Sequence, residues 1–177
     1  MSLNLWENFF RSTEYQQKIL KTLKTCFLFD GLANKELHFL KNIIHIRDYR
    51  AGELIFRQGE LGIGMYIIVS GHVDIGIETP DQNLTEKKHT FITRLMPNDF
   101  FGEISLVETH GRRTASAVAI EDSLLIGFFR PDLEEIKTRN PRVGLKIMTR
   151  LAEVLGRRLK EASTELTRLK QGQASES

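Results

Sequence analysis

FFGEISLVETHGRRTASAV, residues 100–118, carries an acid and a base ten residues apart, Glu103 and Arg113, with Gly102 directly before the acid. Glycine lets a backbone approach another group closely. Glu103, Ile104 and Ser105 read as the first turn of a short helix. The unpaired N–H groups and partial positive charge of such a turn suit a phosphate. Arg113 adds a planar fork of donors that matches phosphate oxygens. Glu103 disfavours a phosphate at close range, so its natural partner is a neutral hydroxyl such as a sugar 2′-OH. Taken alone, Glu103 also has a minority reading as a first-turn acid favoured by the helix dipole, and Arg112 reads as a plain surface charge. Taken together, the glycine, the acid and the base fit a small sugar phosphate with few negative charges.

Outward from this stretch the pattern is that of short strands. Before it, Leu54-Ile55-Phe56 follows a turn at Tyr49-Arg50-Ala51-Gly52, and Gln58-Gly59 breaks the run. Met65, Ile67 and Val69 alternate with Tyr66 and Ile68, so both faces of that strand read as buried. Ser70-Gly71 reads as a tight hairpin, after which Val73, Ile75 and Ile77 alternate with polar residues. Thr79–His89, with Pro80, Asp81 and Asn83, reads as an exposed loop, and Phe91–Leu95 as a strand. After the central stretch, Ala117–Ile120 and Leu124–Phe129 flank a turn at Glu121-Asp122-Ser123. Many short strands with glycine turns predict a β-roll or barrel.

Helices enclose the strands. Residues 3–24 read as a helix with Leu5, Phe9, Ile19, Leu20 and Leu23 at apolar positions. Trp6, Phe9 and Phe10 crowd its start, either covering an apolar edge or forming a docking surface. Phe27–Gly31 is a short apolar segment ending in a turn. Asn34 is the expected cap of a helix that buries Leu37, Leu40, Ile43 and Ile44. Pro131 opens a helix through Leu133 and Ile136, and Asn140-Pro141 separates it from a last helix reaching about Lys170. In that helix Leu145, Met148, Ala152, Leu155, Leu159, Ala162, Leu166 and Leu169 recur three and four apart, the period of a coiled-coil seam. Ile147, Leu151 and Val154 form a second apolar face. One face can pack on the domain and the other on a partner helix, which predicts a parallel homodimer through residues 145–169.

These residues also carry a resemblance. FGEISL (101–106) followed by RTAS (113–116) resembles the phosphate-binding cassette of cyclic nucleotide-binding domains, and GELIFRQGELGIGMYIIVSGHVDI (52–75) resembles the first strands of that domain. The likeness covers roughly residues 27–168. It implies an α+β, mainly β fold: a cyclic nucleotide-binding β-roll (a double-stranded β-helix or jelly roll) between N-terminal helices and a long C-terminal helix. It divides the chain into a helical extension (1–26), the binding domain (27–140), a dimerisation or lid helix (141–170) and a disordered tail (171–177). By the same likeness Glu103 holds the ribose 2′-OH, Arg113 holds the cyclic phosphate, and Gly102, Ile104, Ser105, Thr114 and Ala115 complete the cradle. Cyclic AMP is the favoured ligand, because RRLKEASTEL (157–166) resembles the helix of bacterial catabolite activator proteins, whose Thr-Ser pair reaches the adenine. Ala162 stands where the threonine belongs, with Ser163 and Thr164 following. Cyclic GMP stays open through the Thr114 hydroxyl. Ile75 and Ile92 are candidates for the base pocket and equally ordinary core residues.

Composition removes other classes. The chain has 177 residues, 41% hydrophobic and 27% charged, with a net charge of +2 from 25 basic and 23 acidic residues. That balance gives no argument for a nucleic-acid surface. No apolar run reaches the length of a membrane span, and no leader pattern opens the chain. The single cysteine, Cys26, reads as a small buried hydrophobe. These features favour a cytoplasmic regulatory protein. The histidines, His38, His45, His72, His89 and His110, show no metal-ligand spacing, which disfavours a cupin-like metal enzyme. No nucleophile elbow, Walker loop or carboxylate pair appears, so neither an enzyme nor a resident cofactor is expected. A DNA-reading helix-turn-helix is not expected either, since only eight residues follow Leu169. A β-roll scaffold without nucleotide binding is the remaining alternative, and the downstream partner is open.

Overall fold

The computed structural model describes residues 3–80 and 87–175 of the chain. Helix α1 (Leu3–Thr25) leads through a 3₁₀ turn at Phe27–Phe29 into α2 (Asn34–Lys41). Eight strands follow: β1 (His45–Tyr49), β2 (Leu54–Phe56), β3 (Gly64–Ser70), β4 (Val73–Pro80), β5 (Lys87–Leu95), β6 (Phe100–Phe101), β7 (Ser116–Ala119) and β8 (Ser123–Phe129). A short helix α3 (Ile104–Val107) interrupts them, and α4 (Arg130–Arg139) and α5 (Pro141–Ser175) close the chain. The strands form two antiparallel four-stranded sheets, ordered β1-β8-β3-β6 and β2-β7-β4-β5. The fold is therefore the expected α+β roll with a long C-terminal helix.

The run of apolar residues in β3 finds its reason here, because that strand is buried on both faces. Met65, Ile67 and Val69 pack with Leu28, Phe29, Ile126, Phe128 and the helices. Ile68 points the other way, into the roll, with Val73, Phe101, Ala117 and Leu125. One sheet thus separates two cores. Tyr66 stacks on Phe101 with ring centroids 5.7 Å apart, and Phe56 lies 5.7 Å from Phe101. This aromatic cluster floors the end of the roll that holds the cassette.

Several local readings need correction. Ser70-Gly71 does not close a hairpin: β3 pairs with β8 and β6, whereas β4 pairs with β5 and β7. The turn is a corner where the chain crosses between sheets, and Glu121-Asp122 is another. Thr79–His89 is not simply a loop, since Glu78, Thr79 and Pro80 pair with His89, Lys88 and Lys87. Polar residues carry this stem, so alternation could not reveal it. Asp81 and Asn83 lie outside the described residues, as do the side chains of Trp6, Phe9 and Phe10. Asn34 does not cap α2. It is the first helical residue, and the Glu36 carboxylate accepts the Ala33 N–H at 2.7 Å instead. The tail expected from residue 171 is helical as far as Ser175.

Helix α5 is fastened at its start. Val143, Ile147, Leu151 and Val154 are buried against the domain. Lys146 donates to Glu36 at 2.8 and 3.0 Å, and Arg150 donates to Asp30 at 2.7 Å. Leu145 and Leu159 are each 69% exposed, and Leu166 and Leu169 are also exposed. Of the seam read from the sequence, Met148 and Leu155 pack partly against the same core as Ile147 and Leu151, so the free face is carried by Leu145, Leu159, Leu166 and Leu169. Among the described residues no helix is long and apolar enough to cross a membrane.

Cys26 is buried, and burial pushes its thiol pKa up to about 12. The thiolate is the reactive form. We expect the folded protein to resist an aromatic disulfide reagent at pH 8 and to react with one equivalent on unfolding in denaturant. Prompt reaction in buffer would show that the α1–α5 junction opens.

Candidate functional site

Strand β6 ends at Phe101, and Gly102 turns the chain with φ +78° into the cassette. A Cβ at this position would stand 2.5 Å from Arg113 Nη1 and 3.3 Å from the Gly64 carbonyl oxygen. Only glycine therefore lets the guanidinium lie across this turn. Glu103 follows, 1% exposed, and Ser105 is also buried. Ile104 is exposed on the outer side of α3. The Ser105 N–H donates to the Gly102 carbonyl at 3.2 Å, so that amide closes the turn.

Arg113 enters from the opposite side. Its backbone exchanges two hydrogen bonds with the Gly59-Glu60 turn, each of 2.8 Å. Its side chain is 7% exposed. Nη1 donates to Ser105 Oγ at 3.0 Å and to the Gly102 carbonyl at 3.3 Å, while Nε is buried without a partner. The guanidinium lies 4.0 Å from the centroid of the Phe56 ring. Both of its acceptors are neutral. Burial lowers the pKa of the guanidinium from its ordinary value, yet arginine keeps its charge under any working condition. The Glu60 and Glu103 carboxylates favour its charge from a distance, but a desolvated cation without a direct ion pair calls for an anion.

A cavity of about 250 Å³ opens between these groups. Gly102, Glu103, Ile104, Ser105, Arg113, Thr114 and Ala115, the whole cradle read from the sequence, line it. Ile75 also lines it, with Thr93, Leu95 and Phe56. Ile92 does not. The β4–β5 register runs from Ile75↔Thr93 to Gly76↔Phe91, so Ile92 is the extra residue of a bulge and is exposed. Ser163 and Thr164 do not line the cavity of their own chain either, lying on the exposed part of α5.

Arg158 on α5 completes the wall, a residue the sequence reading passed over. Nη1 donates to Glu103 Oε1 at 2.5 Å, and Nη2 donates to the Phe100 carbonyl at 3.2 Å. The guanidinium also lies 5.3 Å from the centroid of the Phe100 ring. Glu103 is thus neutralised by α5, Arg113 supplies a buried surplus positive charge, and the exposed Arg112 adds a second at the cavity wall. The pocket offers a monoanion a buried cation and a hydroxyl group a buried carboxylate. No group of three or more potential metal ligands occurs among the described residues.

Gly62 sets the spacing behind the cassette. A Cβ on it would lie 2.0 Å from Ser105 Oγ and 2.8 Å from Ser105 Cβ. Overpacking of this kind costs about 1–3 kcal/mol. Gly62→Ala is therefore expected to lower stability by about that amount and to weaken anion binding about tenfold or more, because Ser105 no longer supports Arg113. Thermal melts and calorimetry on the variant check both effects.

Comparison with known proteins follows the same residues. The family described as cyclic nucleotide-binding domain matches residues 46–140, which include both Glu103 and Arg113. The cyclic AMP receptor protein of Thermus thermophilus is 40% identical over 78% of this chain and 60% of its own length. A CRP-like cAMP-activated global transcriptional regulator of Mycobacterium tuberculosis is 31% identical over 80% of this chain and 59% of its own. The chain thus spans about three fifths of the length of these curated relatives. The crystal structure of the Thermus thermophilus catabolite activator protein superposes with a TM-score of 0.69 at 36% identity, covering 81% of this chain and 63% of that one. Roll, cassette and the acid–base pair that faces its cavity all fall inside the shared span, and the chain belongs to the cyclic nucleotide-binding domain family.

Proposed function

We propose that this chain binds a 3′,5′-cyclic nucleotide, cyclic AMP in preference to cyclic GMP, and acts as a ligand-gated switch through α5. The observation that carries the reading is the buried Arg113 guanidinium, which has no direct ion pair and shares one cavity with the buried Glu103 carboxylate. The cyclic phosphate is a monoanion and fits the one buried cation of the cavity, Arg113. The ribose 2′-OH donates to Glu103, whose other contact is Arg158 on α5. Ligand and helix therefore meet at one carboxylate. A ligand shifts α5 only by favouring one of its arrangements, and this shared contact supplies the difference. The cytoplasm is the compartment for such a ligand. The binding domain spans residues 27–140, and residues 141–170 form the dimerisation or lid helix.

The heptad register supports a parallel homodimer with a shared base site. With Leu145 at position a, Arg158 falls at g and Ser163 at e. In a parallel pair each g faces the e five residues on in the partner helix. Arg158 then faces the second copy's Ser163, at the mouth of the first copy's cavity. Glu165 faces Lys170 by the same rule, a favourable pairing. Ser163 thus serves the neighbouring site, whereas Thr164 falls at the outward f position, and Ile75 forms the apolar wall for the base.

A thermal-shift titration with cyclic AMP, cyclic GMP and cyclic di-GMP tests the proposal. A specific ligand at a hundredfold over its dissociation constant stabilises by about 2.7 kcal/mol. Stabilisation by cyclic AMP at the lowest concentration is the expected result. Equal indifference to all three would overturn it.

A further inference from the structure

We propose that Arg130, which does not line the cavity, is a positioning residue for its anion site, acting through Ser105 on Arg113. This rests on the reading of Arg113 as the anion-binding residue. Arg130 is the first residue of α4 and its backbone N–H donates to the Ile63 carbonyl at 2.8 Å. Its side chain reaches back under the cassette. Nη2 donates to the Ser105 carbonyl at 2.8 Å and to the Glu108 carbonyl, with the Gly62 carbonyl at 3.5 Å, and Nε is buried without a partner.

The result is that Ser105 is held from three directions. Its carbonyl accepts from Arg130, its amide donates to Gly102, and its hydroxyl accepts from Arg113. Gly62 packs directly behind it. A residue gripped in this way fixes where its hydroxyl stands, and that hydroxyl is the shorter of the two hydrogen bonds orienting Arg113. Helix α3 has only four residues, too short to hold its own carbonyls in place. A cation that collects carbonyls at its C-terminal end replaces the missing helical turn. Without Arg130, α3 loses its anchor to α4, and Ser105 no longer pins the guanidinium that waits for the anion.

The experiment uses the whole chain, labelled with ¹⁵N, as wild type, Arg130→Met, Arg130→Lys and the exposed control Arg139→Met. Hindered rotation of the Arg113 guanidinium, seen as separately resolved Nη protons, reads positioning with no ligand present. It is expected in the wild type and the control, lost in Arg130→Met and partly restored in Arg130→Lys. Calorimetry with cyclic AMP and cyclic GMP then compares Arg130→Met in the wild-type and Arg113→Lys backgrounds. A residue acting through Arg113 lowers affinity about 10- to 100-fold in the first and less than about twofold in the second, because coupled residues are non-additive. A merely structural residue gives equal losses in both backgrounds and leaves Arg113 restrained, and either result overturns the proposal. If the wild type binds neither nucleotide, the proposed function fails, and the Arg113 resonances alone decide the role of Arg130.

Discussion

Arg113→Met is expected to weaken nucleotide binding by about 30- to several-thousand-fold while leaving the ligand-free protein at least as stable as the wild type. The two halves have one cause. Arg113 is a desolvated cation whose acceptors are a hydroxyl and a carbonyl, and whose Nε has no acceptor. In the absence of ligand it costs the fold a desolvated charge without a direct ion pair and an unsatisfied donor. Methionine keeps the unbranched stem, removes both costs and sets a thioether near Phe56, where the guanidinium now sits 4.0 Å from the ring centroid. Against this stand two lost neutral-acceptor hydrogen bonds, each worth about 1.5–3 kcal/mol at most because the donor is charged. With ligand the balance reverses. A phosphate buried without its cation loses roughly 2–5 kcal/mol, or about 30- to several-thousand-fold in affinity. Calorimetry with cyclic AMP and melts with and without ligand check both halves. An unchanged affinity places the phosphate elsewhere. A large fall in the ligand-free melting temperature would make Arg113 a structural post.

The cassette was legible because its chemistry is local. Glycine, acid and base stand within twelve residues, so spacing marks them as one group, the family resemblance names their expected roles, and one cavity holds them all. The two-faced burial of β3 was legible for a similar reason, since an unbroken apolar run has no wet side to offer. What stayed hidden depends on partners distant in sequence. Ser70-Gly71 has the residues of a hairpin turn, and only the pairing of β3 with β8 and of β4 with β7 makes it a corner between sheets. Ile92 sits in an apparently regular strand, and only the register of β4 exposes it as a bulge residue. Glu36 took the capping role expected of Asn34 because Ala33 precedes the helix and a carboxylate three residues on can reach back to its N–H. Arg158 looked like one more charge on a basic stretch of helix. Its contact with Glu103 spans 55 positions and follows from where α5 crosses the roll, which no periodicity encodes.

The second large effect concerns the free face of α5. Leu159→Asp together with Leu166→Asp is expected to yield monomers. Leu155 is left intact because it packs partly against the domain core, whereas Leu159 and Leu166 are 69% and 56% exposed. Burying a leucine is worth about 1.5–3 kcal/mol, and two from each helix of a symmetric pair amount to a loss of about 10⁴-fold or more in dimer affinity. Facing carboxylates across the seam add repulsion. The exposure of the helix is the observation that favours a partner. It runs for 35 residues, yet every described residue from Gly156 to Gln171 is exposed. Gly156 costs on the order of 1 kcal/mol relative to alanine, and most helical stability in proteins comes from packing an apolar face. In the proposed dimer a second copy along Leu159, Ala162, Leu166 and Leu169 would supply that packing. Light scattering on the wild type and the double variant measures mass, and hydrogen exchange across residues 160–171 measures order. Dimers in the first, monomers with accelerated exchange in the second, and unchanged protection of β3 and β8 in both are the expected results. A wild type already monomeric at tens of micromolar ends the dimer reading, and with it the account in which Ser163 serves the neighbouring cavity.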